Sequence, residues 1–97
     1  GLKTQEIDST VRNAIKKAGY GEFFGHGTGH GVGLDVHEYP HVSWNKGEKI
    51  SHNMVFTIEP GIYIPELGGV RIEDMALVRN GKAELLTGLS RDLEIIK

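Results

Sequence analysis

Five side chains in this sequence have the types and spacing that metal-assisted or general acid–base chemistry requires: His26, His30, His37, Glu59 and Glu73. The histidines fall in the stretch from Gly25 to Glu38, which holds three of the chain's five histidines and five of its fourteen glycines. Glycine recurs at every second position from Gly25 to Gly33. That pattern gives up backbone entropy and side-chain packing, so something requires the bare backbone, and close approach of a ligand is the usual need. His26 and His30 are four apart and His37 follows after seven, a spacing that shares one face of a helix. Gly-x-Gly-x-Gly nevertheless argues against a regular helix. The segment is read as a strand end turning sharply through glycines into a short helical or looped piece, with three imidazoles converging on one hollow. A glycine-rich loop with incidental histidines is the plain alternative.

Alternation along a strand puts Thr57 and Glu59 on one face, and Arg71 and Glu73 on one face of a later strand. An ionised carboxylate inside an apolar strand is costly unless it is paired or bound to a cation. Arg71 can neutralise one glutamate, as arginine often does for a buried carboxylate. Two strand glutamates beside three histidines outnumber that single arginine, and a hydrated divalent ion or ion pair would complete the balance. Histidine with carboxylates and no thiolate suits zinc, manganese, cobalt or iron, with manganese and magnesium favoured as oxygen ligands come to dominate.

Several elements must position these groups. Ile7, Val11, Ala14, Ile15 and Ala18 recur at three- and four-residue steps, which predicts an amphipathic helix over 4–18. Thr4 is its expected cap and Gly19 its stop, with Glu6 and Asp8 in the first turn and Lys16 and Lys17 in the last, as the macrodipole favours. Asp8 and Arg12, four apart, are expected to pair as scaffold. Phe23-Phe24 is expected as a short strand leading into the glycine–histidine segment, with a turn at Tyr39-Pro40 and a polar loop over 41–49. Trp44 in that loop is read as an anchor in preference to a pocket lid, and His52 as a solvated side chain. Val55–Ile58 is a buried strand ended by Glu59-Pro60-Gly61. Ile62–Ile64 continues extended to Pro65, Gly68-Gly69 reverses the chain, and Val70–Val78 is the longest strand expected. Asn80-Gly81 makes a hairpin turn into Ala83–Leu86. The tail after Thr87 has no pattern, and no repeat or linker interrupts the chain.

Composition narrows the function classes. Ninety-seven residues with 38% hydrophobic and 25% charged content make one domain or part of one, able to hold a modest core. A formal charge of −2 without a lysine–arginine cluster argues against a nucleic-acid binder, whose affinity comes from cationic contacts. Absence of cysteine removes disulfides and thiolate zinc sites, leaving histidine and carboxylate as the only metal ligands. No apolar run approaches the length of a membrane span and no secretory leader is visible, so a cytoplasmic protein without a membrane partner is expected.

The residues also resemble a known family. Gly-His-Gly-Thr-Gly-His-Gly-Val-Gly-Leu followed by His37-Glu38, Thr-Ile-Glu-Pro-Gly at 57–61 and Val-Arg-Ile-Glu-Asp at 70–74 look like the pita-bread-fold dinuclear metallopeptidases. The likeness is to the Xaa-Pro aminopeptidase and Xaa-Pro dipeptidase (prolidase) branch, with methionine aminopeptidase and creatinase as relatives. It covers roughly residues 5–80, with three motifs in the family's order. The resemblance implies an α+β fold, the C-terminal half of a pita-bread domain, in which a curved antiparallel sheet is backed by the N-terminal helix. It implies His30, Glu59 and Glu73 as metal ligands, Glu59 also as proton shuttle, and Glu73 as the bridge between two ions of manganese, cobalt or zinc. His26 and His37 match histidines that contact substrate and steady the tetrahedral intermediate, and Tyr63 and Arg71 match substrate-binding positions in or behind the pocket. The implied activity is hydrolysis of X-Pro bonds in a peptide or dipeptide, by a parent expected to be a homodimer.

Two departures accompany the resemblance. The family's further pair of aspartate ligands, located upstream, is missing, so residues 1–97 are expected to be a partial catalytic domain that binds metal poorly and does not turn over alone. His41 stands where many prolidase-like relatives carry an arginine for the substrate carboxylate, which leaves dipeptide preference open. Arg71 in Val-Arg-Ile-Glu tilts the reading toward the proline-specific branch over methionine aminopeptidases. The competing readings are a catalytically dead binding scaffold of the same fold and creatinase-type C–N hydrolysis without metal.

Overall fold

A computed structural model describes residues 2–96. Helix α1 (Thr4–Lys17) is followed by a 3-10 turn at Gly21–Phe23 and seven strands: β1 (Gly29–Gly31), β2 (Glu38–Val42), β3 (Val55–Ile58), β4 (Gly61–Ile64), β5 (Gly68–Arg71), β6 (Asp74–Arg79) and β7 (Lys82–Leu85). Five of them form an antiparallel sheet in the order β2-β1-β3-β6-β7, and β4 pairs with β5 as a separate ribbon. The α+β expectation, a helix with an antiparallel sheet, is met. Val42, Phe56 and Ala76 are the buried centre of the core, packed by Ile7, Ile50, Met54, Ile58 and Val78.

The helix starts one residue earlier than expected. Lys3 is the extended N-cap residue, and its N–H donates to Glu6 Oε2 at 2.6 Å. Thr4 is instead fully buried and its hydroxyl donates to the Lys46 carbonyl at 2.9 Å, so a tertiary bond has claimed the capping group. At the far end Gly19 adopts φ +96°, with its N–H on Lys16 O at 3.0 Å and the Tyr20 N–H on Ile15 O at 3.1 Å, the paired bonds that close a helix on glycine.

Other boundaries differ for identifiable reasons. Phe23-Phe24 leads in through a 3-10 turn, the Phe23 N–H bonding Tyr20 O at 3.0 Å. Tyr39-Pro40 lies inside β2, at the sheet edge and opposite a register shift between His30 and Gly31; edge and bulge positions are where a residue without an N–H is tolerated. His41 and Val42 therefore belong to that strand and not to the loop. The chain reverses at 65–67, and Gly68-Gly69 already pairs with Ile64 and Tyr63. Gly69 is bare because the Tyr63 ring lies across it.

Val70–Val78 is not one strand. It divides into β5 and β6, in different sheets, and Glu73 sits in the break between them, as Glu59 sits in the break between β3 and β4. Neither glutamate is therefore in a strand interior. Asn80 and Gly81 have φ of 52° and 73° and join β6 to β7 with Arg79 paired to Lys82, the two-residue hairpin that the Asn-Gly step predicts. Beyond Leu85 no regular element forms among the described residues, yet the tail is tied down. Arg91 Nε meets Asp74 Oδ2 at 2.6 Å and the Thr87 hydroxyl donates to Asp74 Oδ1 at 2.7 Å, and these bonds, Arg91's foremost, hold the Asp74 carboxyl below the usual carboxylate range. Among the described residues no helix is long and apolar enough to cross a membrane.

Candidate functional site

The glycines of β1 are bare for the sheet's sake. A Cβ on Gly29 would collide with the Thr57 carbonyl and one on Gly31 with the Tyr39 carbonyl, so the backbones of β3 and β2 close on β1 from both sides. This corrects the expectation that a ligand takes up the space. The close packing serves the site indirectly: it sets His30, between these glycines, beside β3, where its N–H donates to Thr57 Oγ1 at 3.1 Å. After Gly31 the chain leaves the sheet and loops through 32–37.

The three imidazoles do converge. His26, His30 and His37 line one pocket of about 460 Å³ with His41, Glu59 and Arg71, and with Trp44 and Lys46 at its wall. The His30 and His37 rings meet edge to face at 4.5 Å between centroids. His52 lies elsewhere, exposed, accepting the Asn80 N–H at 3.3 Å. Trp44 lines the pocket and holds the Arg12 guanidinium of α1 4.7 Å from its ring, a contact that fits the anchor reading.

Ring chemistry follows from the neighbours. His30 Nδ1 is 2.8 Å from the Gly31 carbonyl; a carbonyl only accepts, so Nδ1 carries the hydrogen and Nε2 of the neutral ring presents a lone pair. That Nε2 lies 3.4 Å from Glu59 Oε2, with both side chains mostly sheltered. A lone pair facing a carboxylate at this distance needs positive charge on or between them, supplied by a proton or a metal ion. An imidazole whose Nδ1–H is fixed on a backbone carbonyl is oriented as metal-binding histidines are, so the pair fits a divalent cation. His26 is arranged similarly, with Nδ1 2.7 Å from the Gly27 carbonyl and Nε2 facing Arg71 Nη2 at 3.3 Å. Arg71 Nη1 also reaches Glu59 Oε1 at 4.0 Å. The arginine expected to neutralise a glutamate thus stands between Glu59 and His26.

Tyr63 and Glu73 stand apart from the pocket wall. Tyr63 packs its ring 5.8 Å from that of His26 and lies under the Arg71 guanidinium at 5.6 Å, so it supports the lining without belonging to it. Glu73 is exposed. Among the described residues no three histidine or carboxylate side chains gather as a metal-binding group. Backbone register nonetheless aligns Glu73 with Glu59. Ile58 pairs with Asp74 and Gly61 with Arg71, and the Ile72 N–H reaches Pro60 O at 3.3 Å, so the same register carried across the gap sets Glu59 opposite Glu73. Like charges directly opposed are destabilising, and a shared cation removes that cost.

Sequence reasoning missed a network behind the pocket. Asp8 is fully buried and pairs with Arg12 as expected, Nε to Oδ2 at 3.0 Å. It also accepts the Thr28 hydroxyl at 2.8 Å, while Arg12 donates to the carbonyls of Phe24 and His26. The only signal was an acid and a base four apart beside the helix's apolar stripe.

The chain is similar in sequence and fold to known proteins. The model of metallopeptidase family M24 matches residues 1–80. The chain is 52% identical over 93 residues to a Xaa-Pro dipeptidase of Pyrococcus horikoshii, covering 96% of this chain and 26% of that protein. It superposes on a Xaa-Pro dipeptidase structure from Bacillus anthracis with a TM-score of 0.95 and 45% identity, over 99% of this chain and 27% of that one. An X-prolyl aminopeptidase from Caenorhabditis elegans, described as a cytosolic enzyme with a di-nuclear active site, aligns with a TM-score of 0.72 and 37% identity, over 90% of this chain and 16% of that one. The chain spans about a quarter of the length of the dipeptidases it matches, and its helix and antiparallel sheet match part of the pita-bread domain of prolidases. On the family match over most of its length, the chain belongs to metallopeptidase family M24.

Proposed function

We propose that this chain is the C-terminal part of the catalytic domain of a metal-dependent peptidase that hydrolyses X-Pro bonds. The observation that carries the reading is His30 Nε2 facing Glu59 Oε2 at 3.4 Å, inside a pocket that also gathers His26, His37 and Arg71. The names of the similar dipeptidases and aminopeptidase support the substrate class. His30 and Glu59 would hold a divalent ion of manganese, cobalt or zinc, with Glu73 joining from across the strand break to bridge a second. The chemistry such ions supply when bound is polarisation of the scissile carbonyl and a nucleophile at neutral pH.

The chain's own residues account for the remaining work. Glu59 takes the proton from the attacking water and returns it to the departing proline nitrogen, general base then general acid at one carboxylate. The ring hydrogen of neutral His26 is spent on Gly27, so the donor this corner offers a developing oxyanion is the Arg71 guanidinium, which His26 orients. No hydrogen bond holds the His37 ring among the described residues, and that imidazole donates to the oxyanion from the other side. Trp44, His41 and Lys46 wall the pocket where the substrate's proline end would lie. A dedicated site suits a substrate whose proline lacks an N–H and cannot dock as an ordinary strand.

The full-length protein, loaded with manganese, is expected to release proline from X-Pro dipeptides, and Glu59→Gln to slow the release severely. Absence of turnover by the loaded protein against both dipeptides and longer X-Pro peptides sinks the reading. The scaffold alternative gains from Glu73 lying outside the pocket; metal analysis of the full-length protein with and without Glu73→Ala decides it, since a scaffold loses no metal on substitution. A cytoplasmic setting belongs to the same proposal, supported by the aminopeptidase described as cytosolic.

A further inference from the structure

We propose that the Asp8–Arg12 pair, its carboxylate buried and its guanidinium partly so, is the positioning device of the site, setting His26 and Glu59 from a helix to which neither belongs; this rests on the peptidase reading above. Every nitrogen of the Arg12 guanidinium is used. Nε and Nη2 hold the Asp8 carboxylate at 3.0 and 3.1 Å, Nη1 donates to the Phe24 carbonyl at 2.9 Å, and Nη2 donates to the His26 carbonyl at 2.8 Å. The guanidinium carbon sits 4.2 Å from the centroid of the Phe24 ring and 4.7 Å from that of Trp44. One arm of the device therefore ends on the backbone of His26, whose ring also packs against Phe24 at 4.9 Å.

The second arm runs through Asp8. Its Oδ1 accepts the Thr28 hydroxyl at 2.8 Å, and Thr28 in turn donates its N–H to Val42 O at 2.7 Å and accepts the Glu59 N–H at 2.6 Å. Asp8, Thr28 and Glu59 are thus linked in series by hydrogen bonds. Neither Asp8 nor Arg12 lines the pocket, so both act through other residues.

A purely stabilising role explains this poorly. A buried ion pair is often no better for stability than well-packed apolar side chains, and its retention makes sense where it fixes geometry. Its bonds end on the backbones of two pocket residues, where a misplacement of about 1 Å can cost about a hundredfold in rate. A planar guanidinium is also required: lysine at position 12 keeps the charge beside Asp8 but cannot reach one carboxylate and two carbonyls at once, nor stack between two rings.

The test uses the full-length protein with Arg12→Lys and Thr28→Val, the latter removing only the hydroxyl arm. Steady-state kinetics on an X-Pro dipeptide are read alongside NMR signals of isotope-labelled histidine rings and the Glu59 amide in metal-free protein, with the remote His52 ring as internal reference. Arg12→Lys is expected to lower kcat about 10- to 100-fold with KM changed less than about twofold, and to move the His26 ring signals while His52 stays in place. Thr28→Val is expected to move the Glu59 amide and leave His26 closer to its original position. A kcat for Arg12→Lys within about twofold of the unsubstituted protein, or His26 and His52 signals shifting together, overturns the proposal. Failure of the unsubstituted protein to cleave X-Pro substrates instead removes the peptidase reading, and the ring signals still decide whether Arg12 sets His26.

Discussion

Glu59 is the residue on which the site's charges meet, with His30 at one carboxylate oxygen and Arg71 at the other. Glutamine in its place keeps the shape and removes both the anion and the proton carrier. Glu59→Gln in the full-length protein is expected to lower kcat by about 10² to 10⁴, measured as proline release at saturating substrate; a smaller loss would assign proton transfer to another group. The residue types of this pocket were legible in the sequence because imidazole and carboxylate at these spacings have few other uses. The Asp8–Arg12–Thr28 link was not. Its meaning depends on which strand a helix face meets, and a four-residue spacing is the same for a solvated pair and a buried one.

Among the elements, β1 makes the strictest demand on sequence. Gly29→Ala would drive a methyl group into the Thr57 carbonyl, a backbone atom held in the sheet that cannot swing away. The expected cost is about 1–3 kcal/mol, as for other overpacked sites, read as a lowered midpoint in chemical denaturation. Gly88→Ala in the tail, where nothing lies within 4 Å of an added Cβ, should stay within about 0.5 kcal/mol. At the hairpin, Gly81 has φ +73°, and Gly81→Ala should destabilise by about 1 kcal/mol. The Asn80-Gly81 turn was readable because its dihedral requirement is local. The division of Val70–Val78 was not, since an alternating run looks the same whether it stays in one sheet or passes to another. Thr4 shows the same limit, its capping potential overridden by a bond to a carbonyl forty-two residues away.

For the molecule as a whole, the chain's quarter share of its relatives' length bears on what it does alone. Large apolar side chains are left exposed on the β4–β5 ribbon, at Leu67 and Val70, and along the tail, at Leu89, Leu93, Ile95 and Ile96. Exposed apolar surface of this kind marks an interface. Isolated 1–97 is therefore expected to self-associate in sedimentation experiments, to bind manganese more weakly than the full-length protein in calorimetry, and to show no X-Pro turnover. Monomeric behaviour with full metal affinity would mean that residues 1–97 need neither cover nor ligands from elsewhere.

The breaks at Glu59-Pro60 and Ile72-Glu73 are where the chain crosses from the five-stranded sheet to the ribbon and back. Among the described residues a single backbone hydrogen bond, Ile72 N–H to Pro60 O, stitches those crossings together, so the seam is thin. A cation gripped by glutamates on both sides would act as a rivet through it. Stripping metal from the full-length protein should then quicken hydrogen exchange at the Ile72 and Gly61 amides while leaving Phe56 and Ala76 slow, and the ribbon would report metal loading as a change in its own freedom to swing.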